Sequence, residues 1–303
     1  MLVPIVVSLL LAPPVVEVAP PAARPGDAVL VRVTGVPAAP RGTAAGRALH
    51  FWRHGEEWRA LAALPTELSP GTIRVSVQSA GATAEAELEV VEPGFSVRTL
   101  SVAGKYVQPP AKVRKRIAAD RKAFARAFAR PLVPPLFEDR FDWPLQAPTS
   151  GRFGDQRTFN GKRSSVHYGL DVVGPVGTPI AAANDGEVVL VRDAYMSGGT
   201  VVLWHGAGLF TAYFHLSRMD VKEGQRLRRG EVLGALGATG RVTGPHLHWG
   251  VKVDGFYVDP ESILAIDFAA GAAPPRAPPE GRTPPEAAAD APVEPASQTT
   301  AAP

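Results

Sequence analysis

Between Phe141 and Leu264, glycine-marked turns interrupt the chain every eight to twelve residues, and the runs between them are short. "GTPIAAANDGEVVLVRD", "GTVVLWHGAGLFTAYFHL", "VKEGQRLRRGEVLGALG" and "HLHWGVKVDGFYVD" are rich in β-branched and aromatic residues. This punctuation predicts an antiparallel β-rich domain over residues 141–266, and five of the seven histidines fall in it.

Upstream, "AVLVRVTGV", "ALHFWRHGEEW", "TIRVSVQ" and "AEAELEVVE" alternate apolar and polar positions between Pro and Gly turns. Residues 20–103 are accordingly expected to form a small immunoglobulin-like β-sandwich, and the fold class is mainly β. His50, Trp52 and His54 share a strand face, but an extended chain holds the two imidazoles roughly 13 Å apart, too far for one ion. Residues 104–140 change character. "KYVQPPAKVRKRIAADRKAFARAFAR" carries nine Lys or Arg against a single Asp and predicts a basic connecting helix with Val113, Ile117, Phe124 and Phe128 on its apolar side. "RPLVPPLFEDRFDWPL" reads as an extended linker. From residue 267 to 303 the chain is mostly Ala, Pro, Glu and Thr, a composition that predicts disorder.

The opening "MLVPIVVSLLLAPPVVEVAP" has the length and apolarity of an export signal over residues 1–19, although it lacks a basic n-region and a clear cleavage site. A first buried strand is the structural alternative. Export places the protein in the periplasm or the extracellular cell envelope, without stable membrane insertion afterwards. The net charge of +3 argues against a nucleic-acid partner. Cysteine is absent, which excludes disulfides, thiolate metal sites and cysteine nucleophiles, so any metal must be held by His, Asp or Glu. Oligomeric state has no signature in the sequence.

Chemistry concentrates in two stretches. In "GPHLHWGV" the side chains of His246 and His248 leave one face of a strand, at Cα positions roughly 6.7 Å apart, while Leu247, Trp249 and Val251 face the other way. In "VHYGLDVVG", His167 and Asp171 are too distant along a flat strand to share an ion. A bend at Tyr168-Gly169 would bring them together. One imidazole and one carboxylate from this stretch plus one imidazole from the pair make three protein ligands, and a catalytic zinc keeps its fourth position for water. Zinc lowers the pKa of that water from 15.7 to about 7. The spare imidazole of the pair and His215, in "TAYFHLS", are candidates to move its proton. Spacing alone does not say which of His246 and His248 is the ligand.

The order "SGRFG", "HYGLD", "AYFHLS", "GATGRVTGPHLHWGV" closely resembles the lysostaphin-type (LytM-like) zinc metalloendopeptidases, which cut cross-links or stem peptides of peptidoglycan. The resemblance covers roughly Trp143 to Leu264. It implies one zinc ion held by His167, Asp171 and His248, with His215 and His246 as the catalytic pair and peptidoglycan as the partner. It also places Arg157 and Asn160 where the family has cleft-lining, substrate-contacting residues, and His205 at a structural position before a glycine turn. Some relatives that have lost the metal ligands act as wall-binding or amidase-activating modules, the alternative reading; here all three ligands stand. A third reading makes the sandwich a wall-binding module, which requires an exposed aromatic stripe that Trp52 and Trp58 alone do not make.

Overall fold

The protein, examined as a computed structural model, is described over residues 13–269. Its N-terminal part is a sandwich. One sheet runs in the order Val15–Ala19, Ala28–Thr34, Glu57–Ala63, Trp52–His54, and the other in the order Ala22–Ala23, Ala82–Val90, Gly71–Ser79, Arg41–Ala44, Arg47–Leu49. The first sheet takes in Val15–Ala19, so the fold begins inside the stretch assigned above to an export signal; residues 1–12 lie outside the described residues.

Strand Ala28–Thr34 explains why "AVLV" is apolar at successive positions. Val29, Val31 and Val33 face the second sheet and pack with Val75, Val77 and Leu88. Ala28 and Leu30 face the opposite way, into the core of the C-terminal domain beside Phe137, Phe141, Val251 and Val253. A strand buried on both faces loses the polar half of its alternation. Trp52 joins that shared core, which removes it from any exposed aromatic stripe. Two hydrogen bonds fix the junction: Ala28 N–H donates to the Ser262 side-chain Oγ at 2.9 Å, and Asp259 N–H donates to Gly26 O at 2.7 Å. His50 pairs with Asp254 across it at 2.8 Å, so this histidine serves the domain contact.

The C-terminal domain is built on an antiparallel sheet in the order Thr149–Gly151, Leu170–Val173, His246–Val253, Leu209–Leu216, Gly198–Trp204, Gly186–Ala194, Arg226–Leu227, with Phe256–Val258 added to His246–Val253. Strand Val97–Leu100 leaves the sandwich and pairs in parallel with Gln156–Phe159, so the end of the region assigned to the sandwich belongs to the wall of this domain.

The basic segment forms helix Arg114–Phe128, preceded by the short turns Gly104–Val107 and Ala111–Val113. Phe124 and Phe128 pack near Phe214 and Phe210, as expected, but its buried positions are Ala123, Ala127 and Asp120. Asp120, the helix's only acid, accepts from Arg192 Nε at 2.6 Å and from Tyr195 N–H at 2.9 Å, pinning the helix to the sheet. The following linker is a packed strap, because Phe137 and Phe141 enter the shared core and Leu136 N–H donates to His205 O at 2.8 Å. At the far end, Phe268 is buried against Phe137 and Phe141, which carries the fold past residue 266. The rest of the expected disordered tail, residues 270–303, lies outside the described residues. No helix among the described residues is long and apolar enough to cross a membrane.

Candidate metal centre

Strand register builds the site. Leu170–Val173 and His246–Val253 pair so that Asp171 stands opposite His248, and on its other side His248 stands opposite Phe214. The alternation expected of this strand is present: Leu247, Trp249 and Val251 are fully buried in the core, and His246 and His248 share the other face. His167 arrives from the preceding strand, Arg163–Val166, through a bend at Gly169. The glycine is required there by close packing, since a Cβ on it would meet Trp249 O at 2.6 Å and His248 Nε2 at 2.8 Å.

Three donor atoms converge as a result. His167 Nε2 lies 2.9 Å from Asp171 Oδ1 and 2.9 Å from His248 Nδ1, and His248 Nδ1 lies 2.8 Å from Asp171 Oδ1. His167 Nδ1 is 2.7 Å from Arg152 O, an atom that can only accept, so the ring donates its Nδ1–H there. In the neutral ring that leaves a lone pair on Nε2 facing a carboxylate oxygen, an arrangement that calls for a proton or a cation between them. Burial, the main cause, lowers the pKa of His248 to about 4 and keeps the ring neutral, as a ligand must be. Burial opposes ionisation of Asp171, but its bonds to His167 and His248 hold the carboxyl well below the usual range. Two imidazoles and one carboxylate form a donor set that fits zinc. Among the described residues this is the single cluster of three or more metal-capable side chains.

His215 and His246 flank the cluster with ring centroids 4.9 Å apart. Each ring is oriented by the backbone: His215 Nδ1–H donates to Thr239 O at 2.8 Å and His246 Nδ1–H to Gly244 O at 2.9 Å, which turns both Nε2 atoms free. His246 Nε2 is 3.6 Å from Asp171 Oδ1. His215 reaches this face only because of a bulge. Gly199 pairs with Leu216 and Val201 with Tyr213, so the histidine strand carries one extra residue, and His215 sits in it at φ 66°. Strict alternation would send His215 to the opposite face from Phe214; the left-handed residue puts it on the same one. Burial is the main cause that lowers its pKa to about 3, with the neighbouring His248 and His246 adding to it.

Arg157 and Asn160 part company. Arg157 donates from its guanidinium to Asp171 Oδ2 at 2.7 Å, and Gly151 makes room for the pair, since a Cβ there would meet both groups. Asn160 is exposed and turned away: its side chain accepts from Val102 N–H at 2.9 Å and donates to Val102 O at 2.8 Å, clamping the linker to the turn. Asn160 is not among the residues that line the cleft over this site, whereas Arg157 is. His205 is fully buried, bonded to Asp185 O at 2.6 Å and to the Thr211 hydroxyl at 2.8 Å, in keeping with a structural position. No spacing rule in the sequence links Arg157 to Asp171, so this contact is visible only in the fold.

Arg157→Ala should therefore weaken zinc binding about 10- to 100-fold, as loss of a group orienting a ligand generally does. Competition with a chromophoric chelator measures it. Unchanged zinc affinity together with a raised KM would make Arg157 a substrate contact instead.

A cleft of about 400 Å³ opens over these residues. Its walls come from Arg98 and Leu100 of strand Val97–Leu100, from Val102 just after it, from Arg241, and from Tyr168, which stacks on Tyr257 with centroids 5.7 Å apart.

A β-rich domain with two histidines and an aspartate converging at the floor of an open cleft, and two further histidines at its side, has the layout of a metallopeptidase. Residues 165–260 match the model of peptidase family M23. A putative peptidase M23 from Pseudomonas aeruginosa is 30% identical in sequence; the alignment covers 79% of this chain and 93% of that one, with a TM-score of 0.57. The chain belongs to peptidase family M23. Peptidoglycan DD-endopeptidase ShyA of Vibrio cholerae is 47% identical over 94 residues, 31% of this chain and 22% of the relative. DD-carboxypeptidase/endopeptidase Mpg of Neisseria meningitidis is 41% identical over 98 residues, 32% of this chain and 23% of the relative. The chain thus spans less than a quarter of the length of these relatives.

Proposed function

We propose that this protein is a zinc-dependent endopeptidase that hydrolyses peptide bonds in peptidoglycan cross-links or stem peptides, with one ion per chain held by His167, Asp171 and His248. The observation that carries the reading is the convergence of three donor atoms at 2.8–2.9 Å beside two histidines whose Nδ1 atoms are tied to backbone carbonyls. When bound, zinc supplies a Lewis acid and an activated water at neutral pH. His215 Nε2, neutral and oriented by Thr239, takes a proton from the attacking water. His246 flanks the cluster beside His215, with ring centroids 4.9 Å apart. With its Nδ1–H on Gly244 O, it donates from Nε2 in the protonated, imidazolium form, to charge developing on the scissile carbonyl or to the leaving amine. Arg157 holds Asp171 in place by binding its outer oxygen.

Peptidoglycan as the substrate is supported by the names of relatives that match this domain, two of which are a DD-endopeptidase and a DD-carboxypeptidase/endopeptidase. The site of action is then the cell envelope, in keeping with an export signal. Incubating the zinc-loaded protein with purified peptidoglycan should release new amino and carboxyl termini, identified by mass spectrometry. Folded, metal-loaded protein that binds the wall and releases no termini from any wall chemotype would overturn the reading in favour of an amidase-activating module.

A further inference from the structure

The cleft does not end at the metal ligands. Met196, Ser197 and Arg241 line it and also line a second cavity of about 680 Å³ bordered by helix Arg114–Phe128. This partition is fixed from both sides: Arg241 N–H donates to Met196 O at 2.7 Å, and His215 N–H donates to Ser197 O at 2.9 Å. The guanidinium of Arg241 also lies over the Phe159 ring, 4.5 Å from its centroid.

The second cavity is cationic. Arg114 and Arg121 reach it from the helix and Arg241 from the partition, with Ile117 and Phe124 as apolar lining. The one carboxylate among the lining residues, that of Asp120, is already engaged by Arg192 and the Tyr195 N–H. The helix makes its other ion pair to the sheet through Arg116 and Asp193, which leaves Arg114 and Arg121 with no carboxylate partner among the described residues. A cavity that continues a peptide-binding cleft and offers guanidiniums above an apolar floor suits a peptide segment with free carboxylates and short aliphatic stems.

We infer that this cavity is a carboxylate-recognising subsite that holds the substrate peptide beyond the scissile bond and selects strands whose side carboxylates are free over strands in which they are amidated. The inference rests on the peptidase reading of the cleft. Amidation removes the charge and nearly preserves the shape, so the comparison isolates the electrostatic part of recognition.

The test is calorimetric. A soluble stem peptide with free carboxylates and the same peptide with those groups amidated are titrated into the zinc-loaded His215→Ala protein, full chain, so that recognition is read apart from turnover. The acid form should bind on the order of tenfold more tightly, and added salt should weaken that form selectively. Arg121→Gln and Arg114→Gln, each made in the His215→Ala background, should bring the ratio towards unity, and Arg121→Lys should keep most of it. Both positions are exposed on the helix, and melting curves check the fold. Equal affinity for the two peptides, or a ratio that survives both glutamine changes, would overturn the subsite. Discrimination that persists while the wild-type protein hydrolyses neither peptide nor wall would leave the subsite standing and reject the peptidase reading.

Discussion

His248→Ala protein should purify with well under one equivalent of zinc, whereas His215→Ala protein should hold the ion at near-normal stoichiometry, and both should be inactive. The two losses have different origins. His248 Nδ1 is one of the three converging donor atoms, 2.8 Å from Asp171 Oδ1 and 2.9 Å from His167 Nε2, and without it an imidazole and a carboxylate remain. His215 is bonded to Thr239 O and contributes no atom to that triangle. Its removal costs a proton acceptor, typically a factor of about 10² to 10⁴ in rate. Metal analysis by mass spectrometry, run beside kcat measurements, separates them; equal loss of zinc in the two variants would refute the division of roles. His246→Ala should behave like His215→Ala, because its Nδ1 is tied to Gly244 O.

Chelation should abolish turnover while the fold persists at 25 °C, and zinc in slight excess should restore activity. The donor atoms sit on strands whose opposite face carries Leu247, Trp249 and Val251, all fully buried, so the core does not depend on the ion. A ligand present at a thousandfold excess over its Kd adds about 4 kcal/mol to the native state. For a domain pair of this size that corresponds to a fall of roughly 10 °C in melting temperature on chelation. Circular dichroism before and after chelation reads the fold, and calorimetry reads the shift. Collapse of the β signal would mark the ion as structural, and turnover that survives chelation would remove it from the chemistry.

The legible part of this protein lies in local patterns. Alternation in "HLHWGV" places His246 and His248 on one face because a strand turns its side chains every second residue, wherever the strand sits. The bend at Gly169 is legible for a similar reason, since a glycine in a β run marks a close approach of backbone. Boundaries were less legible. Phe137, Phe141 and Phe268 sit in stretches rich in Pro or Ala that read as linker or tail, yet all three enter one core. Burial depends on what packs from a distance, and composition averaged over a segment does not register single anchoring side chains.

Sequence by itself determined the fold class, the family motifs and the residue types able to hold a metal, because strand period, turn glycines and imidazole chemistry are properties of a few neighbouring residues. Tertiary structure alone decided three things. It turned His215 onto the metal face through a one-residue bulge whose own strand carries no glycine. It gave Arg157 to Asp171, fourteen positions away, through an approach that Gly151 permits. It laid the basic helix beside the cleft by burying Asp120 against Arg192 and Tyr195. Each depends on strand register or on contacts between distant segments, and the physical reason is the same: the energy that selects them comes from packing the whole sheet, which no short window of residues contains.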